Sequence, residues 1–143
     1  MTLRRATPAD AEAIARVNQH ARWFQPSLAD EVDPGALAYF AEEVLPQNEV
    51  WVSETAAGVI GVIAFTPEWV NHLYVLPDHQ GQGLGGVLLD IAKAQSRDLQ
   101  LWTFVGNTKA RRFYEARGFV LEEETDGSRN MEREPDVRYR WRA

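Results

Sequence analysis

The stretch LYVLPDHQGQGLGGVLLDIAKA, Leu73 to Ala94, sets Gly81, Gly83, Gly85 and Gly86 between a β-like apolar run and a helix-like one. A strand that enters a helix through so many glycines lets its main chain be approached closely, because no Cβ stands in the way. The successive N–H groups at such a helix start then point at an anion, typically a phosphate. Which phosphate depends on what surrounds the turn.

Gly81, Gly83 and Gly86 satisfy G-x-G-x-x-G, the dinucleotide-binding fingerprint. That fingerprint opens the first βαβ unit and needs an acid about 20 residues on, at the end of the next strand. Here the turn lies mid-chain, and the next apolar run ends in Phe104 and Val105. A Walker loop needs Gly-Lys-Ser/Thr, which Gly85–Gly86–Val87 does not supply. Both nucleotide readings fail on context. Without a lysine in the turn, the main-chain amides are left to hold the anion.

The rest of the chain alternates strands and helices. Thr2–Ala6 reads as a first strand, and TPAD as a helix start with Thr7 as cap and Pro8 in the first turn. Asp33 and Pro34 repeat the device ahead of Leu37, Phe40, Ala41 and Val44 at helical spacing. Val50–Glu54 and Val59–Phe65 form a hairpin around Gly58, and Pro67 separates it from a strand over Trp69–Leu76. Beyond the glycines, Leu84, Val87, Leu88, Ile91 and Ala92 mark an amphipathic helix. LQLWTFV is the next strand; NTKARRFYEARGF is a helix capped by Asn107 and stopped by Gly118. Phe119–Glu124 then pairs with Val137–Trp141, where Val137, Tyr139 and Trp141 alternate with arginines and one face is buried. The order β-αα-ββ-β-α-β-α-ββ predicts one mixed α/β domain over residues 1–143.

Composition narrows the function. No apolar run nears the roughly 20 residues that span a bilayer, and the first residues lack a signal-peptide core. The chain has no cysteine, which excludes disulfides, thiolate metal sites and cysteine nucleophiles. A cytoplasmic protein with no membrane partner and no metal is predicted. The net charge of −6 argues against nucleic acid as partner. It suits a cationic small substrate, and equally plain solubility.

HQGQGLGG and NTKARRFYEARGF together resemble the GNAT superfamily of N-acetyltransferases. Its pyrophosphate turn, Gln/Arg-x-x-Gly-x-Gly/Ala, is similar to Gln80-Gly81-Gln82-Gly83-Leu84-Gly85 here. Its later motif, an asparagine seven residues before a tyrosine in an FYE…GF helix, is similar to Asn107, Tyr114, Gly118 and Phe119. The resemblance is strongest over Trp69–Val120. It implies an α/β fold of GNAT type: a central mixed β-sheet of about six or seven strands, splayed between strands 4 and 5 and flanked by about four helices. It implies acetyl-CoA as acetyl donor, lying in that gap against Leu73, Tyr74 and Val75. The pyrophosphate would rest on Gln80, Gly81, Gln82, Gly83, Leu84, Gly85 and Gly86, and the pantetheine arm on Asn107. Lys109, Arg111 and Arg112 either reach a ribose phosphate or form an exposed helix face.

The chemistry implied has three needs. An alkylammonium with a pKa near 10 must lose a proton, the thioester oxygen needs a fixed donor, and the departing thiolate needs an acid. By resemblance, a main-chain N–H near Val75 is the donor and Tyr114 is the acid. The base stays open between His72, Glu68 and a held water. Strand alternation puts Trp69 and Asn71 on the Val75 face, where Asn71 can orient a water and Trp69 can meet substrate. His72 and Glu68 fall on the other face unless a bulge shifts them. Trp23, Phe24, Trp102 and Trp141 offer further aromatic surface for an acceptor. Asp30, Glu31, Asp33, Glu132, Glu134 and Asp136 offer charge for a cation, or only a solvated rim. The reading is an N-acetyltransferase acting on the primary amine of a small molecule or peptide, the alternative being a silent acyl-CoA-binding module. Family analogy also allows a homodimer through the C-terminal strands.

Overall fold

The computed structural model describes residues 1–23 and 31–143, with side chains from 1–21 and 31–143. The expectations for the Trp23 side chain, Phe24 and Asp30 lie outside what is described. Strand β1 (Thr2–Arg5) leads into helix α1 (Ala11–Trp23), and α2 (Pro34–Tyr39) runs through a π-helical turn, Phe40–Val44, into α3 (Leu45–Gln47). Strands β2 (Glu49–Thr55), β3 (Gly58–Phe65) and β4 (Val70–Val75) follow, then α4 (Leu84–Ala94), β5 (Asp98–Phe104), α5 (Thr108–Glu115), β6 (Val120–Glu124) and β7 (Asp136–Arg142). This is the predicted order. Among the described residues no helix is long and apolar enough to cross a membrane.

The strands form two antiparallel sheets, β1-β2-β3-β4 and β5-β7-β6. A parallel bridge between Trp69 and Gln100 joins them. Two layers of helix cover them because β3 is apolar on both faces: Val62 and Ala64 pack toward Ile14, Val17 and Phe40, while Ile63 and Phe65 pack toward Leu84, Leu88 and Leu89. Burying each such leucine contributes about 1.5–3 kcal/mol. Gly61 lets α4 sit close to β3, since a Cβ there would stand 3.1 Å from a Leu88 methyl and 3.2 Å from one of Leu84. In β7 the expected alternation holds: Val137 and Tyr139 are fully buried, whereas Arg138 and Arg140 bond Glu122 and Asp98.

The start of the chain is fastened by one carboxylate. Asp10 accepts two bonds from Arg4, each 2.8 Å, and one from the Thr7 amide at 2.8 Å. Chiefly through Arg4, its carboxyl is pulled from an ordinary 3.8 down to about 2. A carboxyl lowered by folding stabilises the fold fully above its unfolded value and loses that contribution as the pH falls toward 2. Asp10→Asn is therefore expected to cost about 1–2 kcal/mol at pH 7. The gap to the wild type should narrow between pH 4 and pH 2.5, as read by urea unfolding.

Candidate active site

The seam between the two sheets opens from one end. Where β4 begins, the Gln100 amide donates to the Glu68 carbonyl at 2.9 Å, and beyond that bridge no ladder joins β4 to β5 among the described residues. Leu76 donates its amide to Ile60 at 2.9 Å, so alternate residues of β4 bond β3. The main-chain groups of Leu73 and Val75 therefore face the open gap. Their side chains belong to the α4 core.

At the wide end lies the glycine turn. Gly81 and Gly83 have φ of +79° and +83°, a conformation other residues adopt only with strain, and Gly83 caps α4. The first intrahelical donor is the Val87 amide, bonded to Gly83 at 3.1 Å. The six amides from Gly81 to Gly86 donate to no described group. A row of unpaired N–H groups at a helix start is electropositive. Gly85 and Gly86 also let α5 close in, since a Cβ would meet Phe113 at 3.1 Å and the Arg117 guanidinium at 2.9 Å. Gln80 staples the site: its Nε2 donates to the Val75 carbonyl at 2.8 Å, and its Oε1 accepts from Lys109 Nζ at 2.6 Å.

Helix α5 borders the gap on its other side. Asn107 caps it, Oδ1 accepting from the Ala110 amide at 3.1 Å. Arg111 turns inward, to the Tyr139 hydroxyl at 3.1 Å and the Val105 carbonyl at 3.2 Å, so it is not an exposed phosphate ligand; Arg112 stays exposed. Tyr114 packs on the rings of Phe113 and Phe119, with centroids 5.2 and 5.5 Å apart. Its hydroxyl bonds no described group. Burial, with a smaller push from Tyr74, raises that hydroxyl well above the ordinary phenol range.

Strand β4 carries a bulge between Val70 and His72, with Asn71 as the extra residue. It precedes His72, so His72 and Tyr74 remain on the face opposite Leu73 and Val75, and Val70 takes the inner position that strict alternation assigns to Asn71. Asn71 instead reaches the end of α3, bonding Asn48 at 2.8 Å. Glu68 and Trp69 sit at the bridged end, seven and six residues before Val75, or about 20 Å along the strand. The structure does not bring them to Tyr114.

On the outer face of β5, Trp102 is 42% exposed and lines a hollow with Glu123, Thr125, Arg129, Asn130 and Asp136. Leu99 and Leu101 point to the α4 core, so by alternation Trp102 shares the side of His72 and Tyr74. Asp136 is bonded by the Thr125 hydroxyl, Asp33 caps α2, and Glu134 is tied into its loop through main-chain bonds to Asn130. Trp141 packs against the α4 core.

Two arrangements escaped sequence reasoning. One is the π-helical turn, because Leu37, Phe40, Ala41 and Val44 suit either helical winding. The other is the approach of Tyr39 to His72, at 3.0 Å across 33 residues, for which the sequence carries no signal.

A family model described as an acetyltransferase (GNAT) domain matches residues 46–121. An L-amino acid N-acyltransferase of Escherichia coli is 31% identical over 139 residues, covering 85% of this chain and 80% of its own. A peptidyl-lysine N-acetyltransferase of Salmonella typhimurium is 31% identical over 86 residues, 59% of either chain. Among solved structures, an N-acetyltransferase of Thermoplasma acidophilum in complex with coenzyme A superposes with a TM-score of 0.74, at 18% identity, over 99% of this chain and 98% of that one.

Proposed function

Because the chain belongs to the GNAT acetyltransferase family, we propose that it transfers an acetyl group from acetyl-CoA to the primary amine of a small molecule or peptide. The observation that carries this reading is the conjunction of six unpaired amides at the wide end of the seam with the unbonded Tyr114 hydroxyl beside it. The amides of Gly81 to Gly86 hold the pyrophosphate, and the donor's arm pairs with the main chain of Leu73 and the N–H of Val75 as an added strand would, the Val75 carbonyl being taken by Gln80. Asn107, already a helix cap, offers its remaining amide hydrogens to that arm.

The Val75 N–H serves as donor to the thioester oxygen as negative charge grows there. Tyr114, kept protonated by burial, gives its proton to the departing sulfur. His72 is the base, its intrinsic pKa near 6.5 suiting the duty. Trp102, with Glu123 and Asp136 close by, receives the cationic acceptor by ring face and charge. The E. coli relative, named for L-amino acids, favours a small acceptor over a protein one.

Calorimetric titration with acetyl-CoA tests the reading, with NAD and ATP as controls. Micromolar binding of acetyl-CoA alone is expected, followed by amine-dependent thiol release that no protein cysteine can obscure. Binding without release from any amine would leave a silent acyl-CoA module. No binding would overturn the assignment of the turn.

A further inference from the structure

His72 is the middle member of a chain of three groups. Its Nε2 lies 3.0 Å from the Tyr39 hydroxyl, and its Nδ1 lies 3.3 Å from the Tyr74 hydroxyl. The rings of Tyr39, Phe40 and Tyr74 enclose the imidazole, with centroids at 5.7, 5.3 and 5.8 Å. Consecutive side chains of an ordinary α-helix diverge by about 100° and seldom share one target. Here the winding changes to π at Phe40, immediately after Tyr39, and both residues reach the imidazole. Such single-turn insertions recur at functional sites. The bulge at Asn71 belongs to the same device, because its bond to Asn48 ties β4 to the far end of that helical rod just before His72.

The two ends of the chain differ. Tyr39 is 42% exposed, whereas Tyr74 is half-buried and near enough to Tyr114 for a charge on its oxygen to be felt there. The outer end is open to solvent; the inner end is the one whose charge would reach Tyr114.

We propose that Tyr74 is the group that meets the acceptor amine, that His72 draws the proton through it, and that Tyr39 is a positioning residue that fixes the imidazole tautomer. This rests on the acetyl-transfer reading above and replaces direct contact between His72 and the amine. The bound ammonium first gives one proton to water; as the new C–N bond then forms, a second N–H proton passes from the nitrogen to the Tyr74 oxygen, and the Tyr74 O–H proton passes to His72 Nδ1. The imidazole becomes imidazolium, its Nε2–H donating to the Tyr39 oxygen. The C–S bond breaks, and Tyr114 gives its proton to the sulfur. Once product has left, the imidazolium returns its Nδ1 proton through the Tyr74 hydroxyl to water in the emptied site, which restores the Nε2–H tautomer, and Tyr114 regains a proton from solvent, so the relay is back at its resting state. Nδ1 can accept only if the resting proton sits on Nε2, the tautomer that an acceptor at Tyr39 selects.

The test uses the whole chain. In the free protein, 15N shifts of the His72 ring should report mainly the Nε2–H tautomer, and Tyr39→Phe should shift the population toward Nδ1–H. With acetyl-CoA and an amine found by thiol release, Tyr74→Phe and His72→Gln should each lower kcat about fiftyfold at unchanged acetyl-CoA affinity. The double variant should lose no more than either single one, because groups in series fail together. Tyr39→Phe should lower kcat about fivefold to tenfold with KM unchanged. A Tyr74→Phe enzyme of near wild-type rate beside a crippled His72→Gln would overturn the relay while leaving acetyl transfer intact. So would an Nδ1–H tautomer in the wild type, which is read without substrate and decides the relay even if no amine is turned over.

Discussion

Tyr114→Phe is expected to lower kcat about a hundredfold while leaving the acetyl-CoA dissociation constant within about twofold. The change removes one hydroxyl that bonds no described group, and keeps the ring that packs on Phe113 and Phe119. Folding should therefore be almost untouched, with a melting temperature near that of the wild type. Burial raises the Tyr114 hydroxyl far above neutrality, so the proton stays in place until the sulfur needs it. The same burial predicts that the rate does not fall through Tyr114 ionisation at any pH up to about 9. Stopped-flow thiol release separates the chemical step from product release. An unchanged single-turnover rate in Tyr114→Phe would remove Tyr114 from the acid role and leave it as core.

The second large effect concerns the turn. Gly83→Val puts a β-branched residue at φ +83°, where no other described group lies within 4 Å of the new Cβ outside its chain neighbours. The strain costs about 1–2 kcal/mol, and the added side chain stands in front of the amides. Acetyl-CoA affinity should fall at least tenfold by calorimetry, about 1.4 kcal/mol or more. Gly58→Val is the control. Gly58 has φ +109° in the β2–β3 hairpin, equally without a neighbour, and lies outside the candidate site. Both variants should lose comparable stability, but only Gly83→Val should lose affinity. Equal affinities in the two would mean that the phosphate does not rest on this turn.

Much of this arrangement was legible in the chain itself. Thr7, Asp33 and Asn107 announce helix starts by local chemistry, and the alternation of Val137 and Tyr139 with arginines announces a half-buried strand. Tyr114 and Asn107 are candidates by resemblance to a family motif carried on one short helix and its cap. The inward turn of Arg111 is not legible in the sequence, because whether a helical arginine turns to solvent or to Tyr139 depends on a strand 28 residues away. Likewise Gln80 reads as part of a phosphate turn, yet both ends of its side-chain amide are spent on Val75 and Lys109.

His72 marks the boundary most clearly. Period-two alternation put it opposite Val75, and there it stays, because the bulge falls before it. What gives that face chemical meaning is Tyr39, delivered by a π-helical turn from another layer. The order of elements, their caps and the anion-ready glycine turn were set by the sequence alone, since each rests on interactions within a few residues. The opening of the seam, the place of the bulge and the partners of His72, Arg111 and Gln80 were decided only by tertiary packing. They depend on which distant surfaces the cores bring together, and no local pattern encodes that distance.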